Sequence, residues 1–179
     1  MPGESQQTSG PLMTPRTGLA RQVSALLGLL ALSYTVALLG SMAILGTASG
    51  WYATAIKAPW TPPGWVFGSV WTVLYTAMAV AAWLVWRQRS AKTRRAMTAY
   101  GIQMLLNLAW APTFFGMYPA WGDAALWLAL LLIAALALAV TATVILFGLI
   151  NTTAGLLMLP YISWIVFSSS LNLYAALNN

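Results

Sequence analysis

Five apolar runs, each long enough to cross a lipid bilayer, constrain this chain more than anything else in it. They cover about Val23–Leu45, Pro62–Trp86, Ala96–Met117, Ala124–Ile150 and Ala154–Ala176. A helix rises 1.5 Å per residue, so about 20 residues suffice for a hydrocarbon core of roughly 30 Å. Charged residues make up only 6% of the sequence, where soluble domains carry roughly 25%. The expectation is an all-α integral membrane protein: a five-transmembrane-helix bundle formed by residues 21–179 as a single domain. Residues 1–20, rich in Ser, Thr, Gln, Gly and Pro, predict a disordered tail. The first run has a signal-like end at Ser41-Met-Ala43, but it exceeds the 7–15 apolar residues of a signal core and reads as a retained helix.

Charge distribution predicts the orientation. Five of the eight Lys/Arg fall between Arg87 and Arg95, which reads as a cytoplasmic loop rather than a nucleic-acid surface. Arg16 and Arg21 place the N-terminus on the same side. The sequence has no Cys, no His and two carboxylates, Glu4 and Asp123. Thiolate nucleophiles, the usual zinc sites, paired-carboxylate and Ser-His-Asp chemistry are therefore excluded, and no metal or resident cofactor is expected. Any chemistry must come from Trp, Tyr, amides and hydroxyls, or from the ligand itself.

The connection between the first two runs is unusual. Residues 51–75 hold four of the ten tryptophans and three of the nine prolines. Prolines 59, 62 and 63 forbid helix through 58–63, and Thr61 with Pro62 predicts the start of the second helix. The stretch reads as a long, rigid Trp/Pro-rich loop, either an interfacial aromatic belt or a lid over a pocket. Gly64 and Gly68 are spaced for close approach of a neighbouring helix, as are Ala135 and Ala139.

Inside the helices, neutral polar groups recur beside aromatics on three faces: Trp71, Tyr75 and Met78; Gln103, Asn107 and Trp110; Trp164, Ser168 and Asn172. Singly, each is ordinary interhelical glue. Together, beneath the tryptophan loop, they predict one flat-walled, uncharged pocket for a planar apolar ligand with a few polar handles. Pro112 and Pro160 predict kinks in their helices.

The chain resembles the translocator protein family, also known as tryptophan-rich sensory proteins and formerly as peripheral benzodiazepine receptors. The match rests on Trp51-Tyr52, Lys57-Ala-Pro59, Trp60-Thr-Pro-Pro-Gly64, Trp71-Thr-Val-Leu-Tyr75, Gln103-x3-Asn107-x2-Trp110-x-Pro112-x-Phe114-Phe-Gly116 and Pro160-Tyr161-x2-Trp164 leading to Leu171-Asn172. The blocks extend over about residues 22–175. The resemblance implies a bacterial-type, plasma-membrane homodimer whose pocket opens under the first loop. It implies binding of porphyrins, notably protoporphyrin IX, of haem-like molecules and of drug-like isoquinoline carboxamides. It also implies light-dependent oxidative breakdown of protoporphyrin in some members, with Trp71 and Trp164 as the catalytic tryptophans. The implied ligand-binding positions are Tyr52, Trp60, Trp71, Tyr75, Asn107, Trp110, Trp164, Phe167 and Ser168. The animal sterol motif, a Tyr followed by a basic residue, is not matched, because Tyr174 is followed by Ala175-Ala-Leu-Asn-Asn179. A porphyrin carboxylate would turn to Lys57 or to loop amides. The alternative function is uncoupled transport or export of tetrapyrroles or sterol-like lipids. Against ion-coupled transport stand the missing intramembrane charge and the missing inverted repeat.

Overall fold

The computed structural model describes residues 18–45 and 50–179. The expected tail therefore lies, up to residue 17, outside the described residues, as does most of the Gly46–Gly50 break. The elements are α1 (Leu19–Leu45), α2 (Trp51–Thr54), α3 (Gly64–Trp86), α4 (Thr93–Ala111), a π-helical turn (Pro112–Gly116), α5 (Tyr118–Trp121), α6 (Asp123–Gly148) and α7 (Thr152–Asn178). Four of them, α1, α3, α6 and α7, are long and apolar enough to cross a membrane. The all-helical membrane architecture is as expected.

The third expected span, about Ala96–Met117, is the exception. α4 has 19 residues, and its polar inner face and first-turn arginines lower its hydropathy below that of the other long helices. It is nonetheless coextensive with the bundle. Tyr100, near its start, shares a hydrogen bond of 3.2 Å with Ser33 of α1, and Trp110, near its end, reaches Asn172 of α7.

The connection from α1 to α3 departs from a plain loop, since Trp51–Thr54 forms one helical turn. Nor does Thr61 cap α3. Pro63 occupies the cap position without a side-chain bond, and Thr61 instead closes a turn by donating its N–H to the Ala58 carbonyl at 2.9 Å. The two successive prolines hold the chain extended two residues longer than expected.

Proline acts differently in the two helices that carry it. Pro112 opens a π turn, in which the Met117 N–H reaches the Pro112 carbonyl at 3.1 Å, five residues back. Pro160 lies inside α7 without ending it.

The core forms where α3, α4, α6 and α7 meet, around Met78, Tyr100, Ile133, Phe147, Met158, Tyr161 and Ile165. The close backbone approach falls where the sequence analysis did not place it. A Cβ on Gly64 or Gly68 would meet nothing within 4 Å, and Ala135 faces outward. A Cβ on Gly155 would instead lie 2.8 Å from the Gly148 α-carbon. Glycine lets α6 and α7 press backbone to backbone beside their short turn, where Asn151 caps α7 by accepting from the Ala154 N–H at 2.9 Å.

Candidate functional site

The three polar faces do converge. Tyr75 of α3 donates its hydroxyl to Asn107 Oδ1 of α4 at 2.6 Å, and Asn107 Nδ2 donates to the Tyr161 hydroxyl of α7 at 2.8 Å. One amide thus joins three helices, with all three side chains buried. A second junction lies nearer the loop. There Trp110 Nε1 donates to Asn172 Oδ1 at 3.0 Å, and Asn172 Nδ2 donates to the Leu126 carbonyl of α6 at 3.0 Å. In hydrocarbon such groups have no water to fall back on, so each finds a partner inside the protein. Gln103 is less complete: its Nε2 reaches only the Met78 sulfur at 3.9 Å, and its buried Oε1 has no partner among the described residues.

Aromatic side chains surround these junctions in two groups. At the loop end, Trp51 stacks on Tyr118 with ring centroids 3.8 Å apart and donates Nε1 to the Phe115 carbonyl at 2.9 Å. Tyr52 packs edge-on against Phe115 at 5.0 Å, and Trp110 stacks on Phe114 at 5.4 Å. The π turn makes this cluster possible, because its wider winding buries the consecutive Phe114 and Phe115 together. Lys57 Nζ lies over the Tyr52 ring at 4.7 Å, a cation–π contact. Burial pushes the Tyr52 hydroxyl pKa up, so it stays protonated at neutral pH.

The second group lies along the seam between α3 and α7. Trp71 faces Tyr75 at 5.3 Å and Tyr161 at 6.1 Å. Trp164 lies between Phe67 at 5.6 Å and Phe167 at 5.3 Å. Its Nε1 is buried and has no partner among the described residues. Beside it an open cleft of about 530 Å³ runs between the helices, lined by Ser69, Val73, Leu74, Pro160, Ser163 and Trp164.

The nine expected ligand positions are thus distributed unevenly. Trp71, Tyr75 and Asn107 are brought together, Trp164 and Phe167 adjoin one another, and Ser168 is buried on the inner face of α7. Tyr52 and Trp60 make their ring contacts elsewhere. Trp60 is half exposed, donates Nε1 to Ser170 Oγ at 3.2 Å and meets Tyr174 edge-on. The expected flat-walled pocket is closed at its centre, where the side chains hydrogen-bond one another. Its opening lies to the side, along α3 and α7. Sequence reasoning passed over Tyr161 as a site residue, although Pro160-Tyr161 stands in the matching motif. Its position seven residues before Ser168 was the available signal.

The loop is tied down by Asn179. Its Oδ1 accepts from the Ile56 N–H at 2.8 Å, and its Nδ2 donates to the Ile56 carbonyl at 3.1 Å. The belt and lid readings therefore divide by residue. Trp65 points outward, 74% exposed, while Trp51 and the Ile56 backbone are docked on the bundle.

Comparison with known proteins gives a consistent family. The model of the TspO/MBR family matches residues 29–177. The human translocator protein is 36% identical over 137 residues, covering 74% of this chain and 77% of that protein. The tryptophan-rich protein TspO of Chlorobaculum tepidum is 32% identical over 156 residues, covering 85% of this chain and 94% of its own length. A tryptophan-rich sensory protein of Cereibacter sphaeroides is 35% identical over 125 residues, covering 70% of this chain and 74% of that protein. With its apolar helices and a match that extends over nearly all the described residues, the chain belongs to the TspO/MBR family of integral membrane proteins.

Proposed function

We propose that this protein is a membrane receptor for protoporphyrin IX and similar planar apolar ligands. The reading rests on one observation: the buried Trp164 Nε1, without a partner among the described residues, borders an open cleft on the helix that also carries Tyr161 of the Tyr75–Asn107–Tyr161 junction. A buried N–H without an acceptor costs about 1–3 kcal/mol, and a ligand carbonyl or ring nitrogen in the cleft would remove that cost. Flat rings supply contact area by stacking on Trp71, Trp164 and Phe167. Lys57, at the loop end, is the cation available for a ligand carboxylate. Haem-like tetrapyrroles and isoquinoline carboxamides share the required shape. The same tryptophans serve a light-dependent breakdown of bound protoporphyrin in which molecular oxygen is the oxidant, and indole, the most readily oxidised side chain at the site, donates an electron to the excited porphyrin or to the oxygen species it generates.

A saturable quench of Trp fluorescence by protoporphyrin IX tests the binding. We expect one site per protomer in the micromolar range or tighter, about −8 kcal/mol. Quenching that does not saturate and matches empty detergent micelles would refute it.

The remaining architecture belongs to the same proposal. α4 and its π turn form the fifth span, about 36 Å long at 1.5 Å per residue from Thr93 to Gly116. The bacterial plasma membrane is the host bilayer, and the protein acts there as a homodimer. The 87–95 loop and the N-terminus are cytoplasmic, which the basic residues of that end support. Arg21 lies over Trp86 and Arg87 over Trp83, so α1 and α3 carry their interfacial aromatics and cations at one level. Single cysteines report the orientation cleanly in a protein that has none. One at Ala55 should label from outside intact cells and one at Lys92 should not; the reverse pattern would overturn the assignment.

A further inference from the structure

A second cleft, of about 590 Å³, lies between α4 and α6 at the basic end of the bundle. It is lined by Arg94, Arg95, Thr98, Ile102, Ala142 and Leu146. The Thr98 hydroxyl is occupied by the Arg94 carbonyl at 3.0 Å, which leaves the two guanidinium groups as its polar recognition elements. Among the described residues no carboxylate compensates their charge. α4 begins without a side-chain cap and without an acidic residue in its first turn, although the positive end of a helix disfavours cations. Among the described residues the one carboxylate, Asp123, opens α6 at the far end of that helix from Leu146.

The order of groups along the cleft is informative. Arg94 lies in the first turn of α4, and Ile102 lies eight residues deeper, about 12 Å at 1.5 Å per residue. Charge at the helix end and hydrocarbon walls one headgroup's depth below reproduce the order of a phospholipid. Arginine forks suit phosphate oxygens, and basic clefts between membrane helices at the cytoplasmic side accept anionic headgroups.

We propose that this cleft binds an anionic phospholipid, its phosphate on Arg94 and Arg95 and an acyl chain along Ile102, Ala142 and Leu146. A free phosphate would leave the apolar walls unused. A second copy related by a two-fold axis along the membrane normal would bring arginines against arginines. The proposal stands independently of the porphyrin site.

The test is native mass spectrometry of the full chain in a neutral detergent, titrated with dioleoyl-phosphatidylglycerol or with dioleoyl-phosphatidylcholine. One phosphatidylglycerol should be retained per protomer in preference to phosphatidylcholine. Arg94→Gln with Arg95→Gln should weaken it about thirtyfold, because each guanidinium loses a charge-assisted hydrogen bond to the phosphate. Arg89→Gln with Lys92→Gln removes equal charge outside the cleft and should cost less than about threefold. Ala142→Phe should weaken binding with no charge change, and Arg94→Lys with Arg95→Lys should retain most of it, which separates loss of contact from misfolding. Equal losses in the two Gln pairs would reduce the effect to diffuse surface potential and overturn the proposal. So would equal retention of the two lipids, full displacement by millimolar inorganic phosphate, or an Ala142→Phe variant that shifts the monomer–dimer ratio and leaves the lipid in place.

Discussion

Tryptophans 110 and 164 both sit among aromatic neighbours, yet their indoles are treated in opposite ways. Trp110 stacks on Phe114 and spends its N–H on Asn172, which is itself bonded to the Leu126 carbonyl. Trp51 of the same cluster spends its N–H on the Phe115 carbonyl. Trp164 is flanked by Phe67 and Phe167, has its N–H buried without a partner among the described residues, and borders an open cleft. The loop-end cluster is therefore a finished structural joint, whereas the α3–α7 seam holds a donor in reserve. In a protein with so few charges, the hydrogen-bond state of an indole separates scaffold from site better than burial does.

That contrast can be broken most sharply by photochemistry. Trp71→Phe or Trp164→Phe should nearly abolish light-dependent loss of protoporphyrin absorbance, while affinity falls by no more than about 1.5 kcal/mol, the upper range for a packed aromatic contact. Trp127→Phe, an exposed position on α6, serves as the control and should change neither. Wild-type bleaching in both seam variants would make the reaction ordinary photosensitisation and the protein a binder only.

The next largest effect is on the scaffold. Asn107→Leu strands the Tyr75 and Tyr161 hydroxyls in the core and should cost about 2 kcal/mol, as a lowered thermal midpoint in detergent. An unchanged midpoint would mean that the three-helix junction contributes nothing to stability.

The smallest effects set the two tryptophans directly against each other. Trp110→Phe removes the donor for Asn172 and should destabilise by about 1 kcal/mol. Trp164→Phe removes an N–H that has no acceptor among the described residues, so stability should stay within about 0.5 kcal/mol or rise slightly. If both variants lost the same stability, the distinction between joint and reserve donor would fail.

Much of this was legible beforehand because membrane depth makes polar residues conspicuous. Tyr75, Asn107 and Trp110 stood out as neutral hydrogen-bonding groups in apolar runs, and helical periodicity put Asn172 on the same inner face of α7 as Ser168. What periodicity could not supply was pairing. Whether Trp110 or Trp164 would find an acceptor depends on the rotation of α4 against α7, which no single helix encodes. The π turn was hidden for a related reason: Pro112 announced a disturbance, but a kink and a wider turn look alike in sequence. Nor did the glycine spacing at 64 and 68 identify the close helix contact. The contact at Gly148 and Gly155 lies across a turn, where a search within one helix does not reach.

That glycine contact also bears on when the site comes into being. α6 and α7 are joined by a three-residue turn, Leu149–Asn151, so their pairing is the most local in the bundle and closes little intervening chain. α7 also leaves the ribosome after the other described helices. Tyr161, Trp164, Ser168 and Asn172 all travel on it, so until it arrives Asn107 has only Tyr75, and Trp110 has no Asn172. By folding back on α6 at Gly148, α7 delivers these partners in a single docking step. The candidate site therefore forms only after the other described helices have been made, and a chain interrupted between Gly148 and Tyr161 carries α1 to α6 but not the three-helix junction.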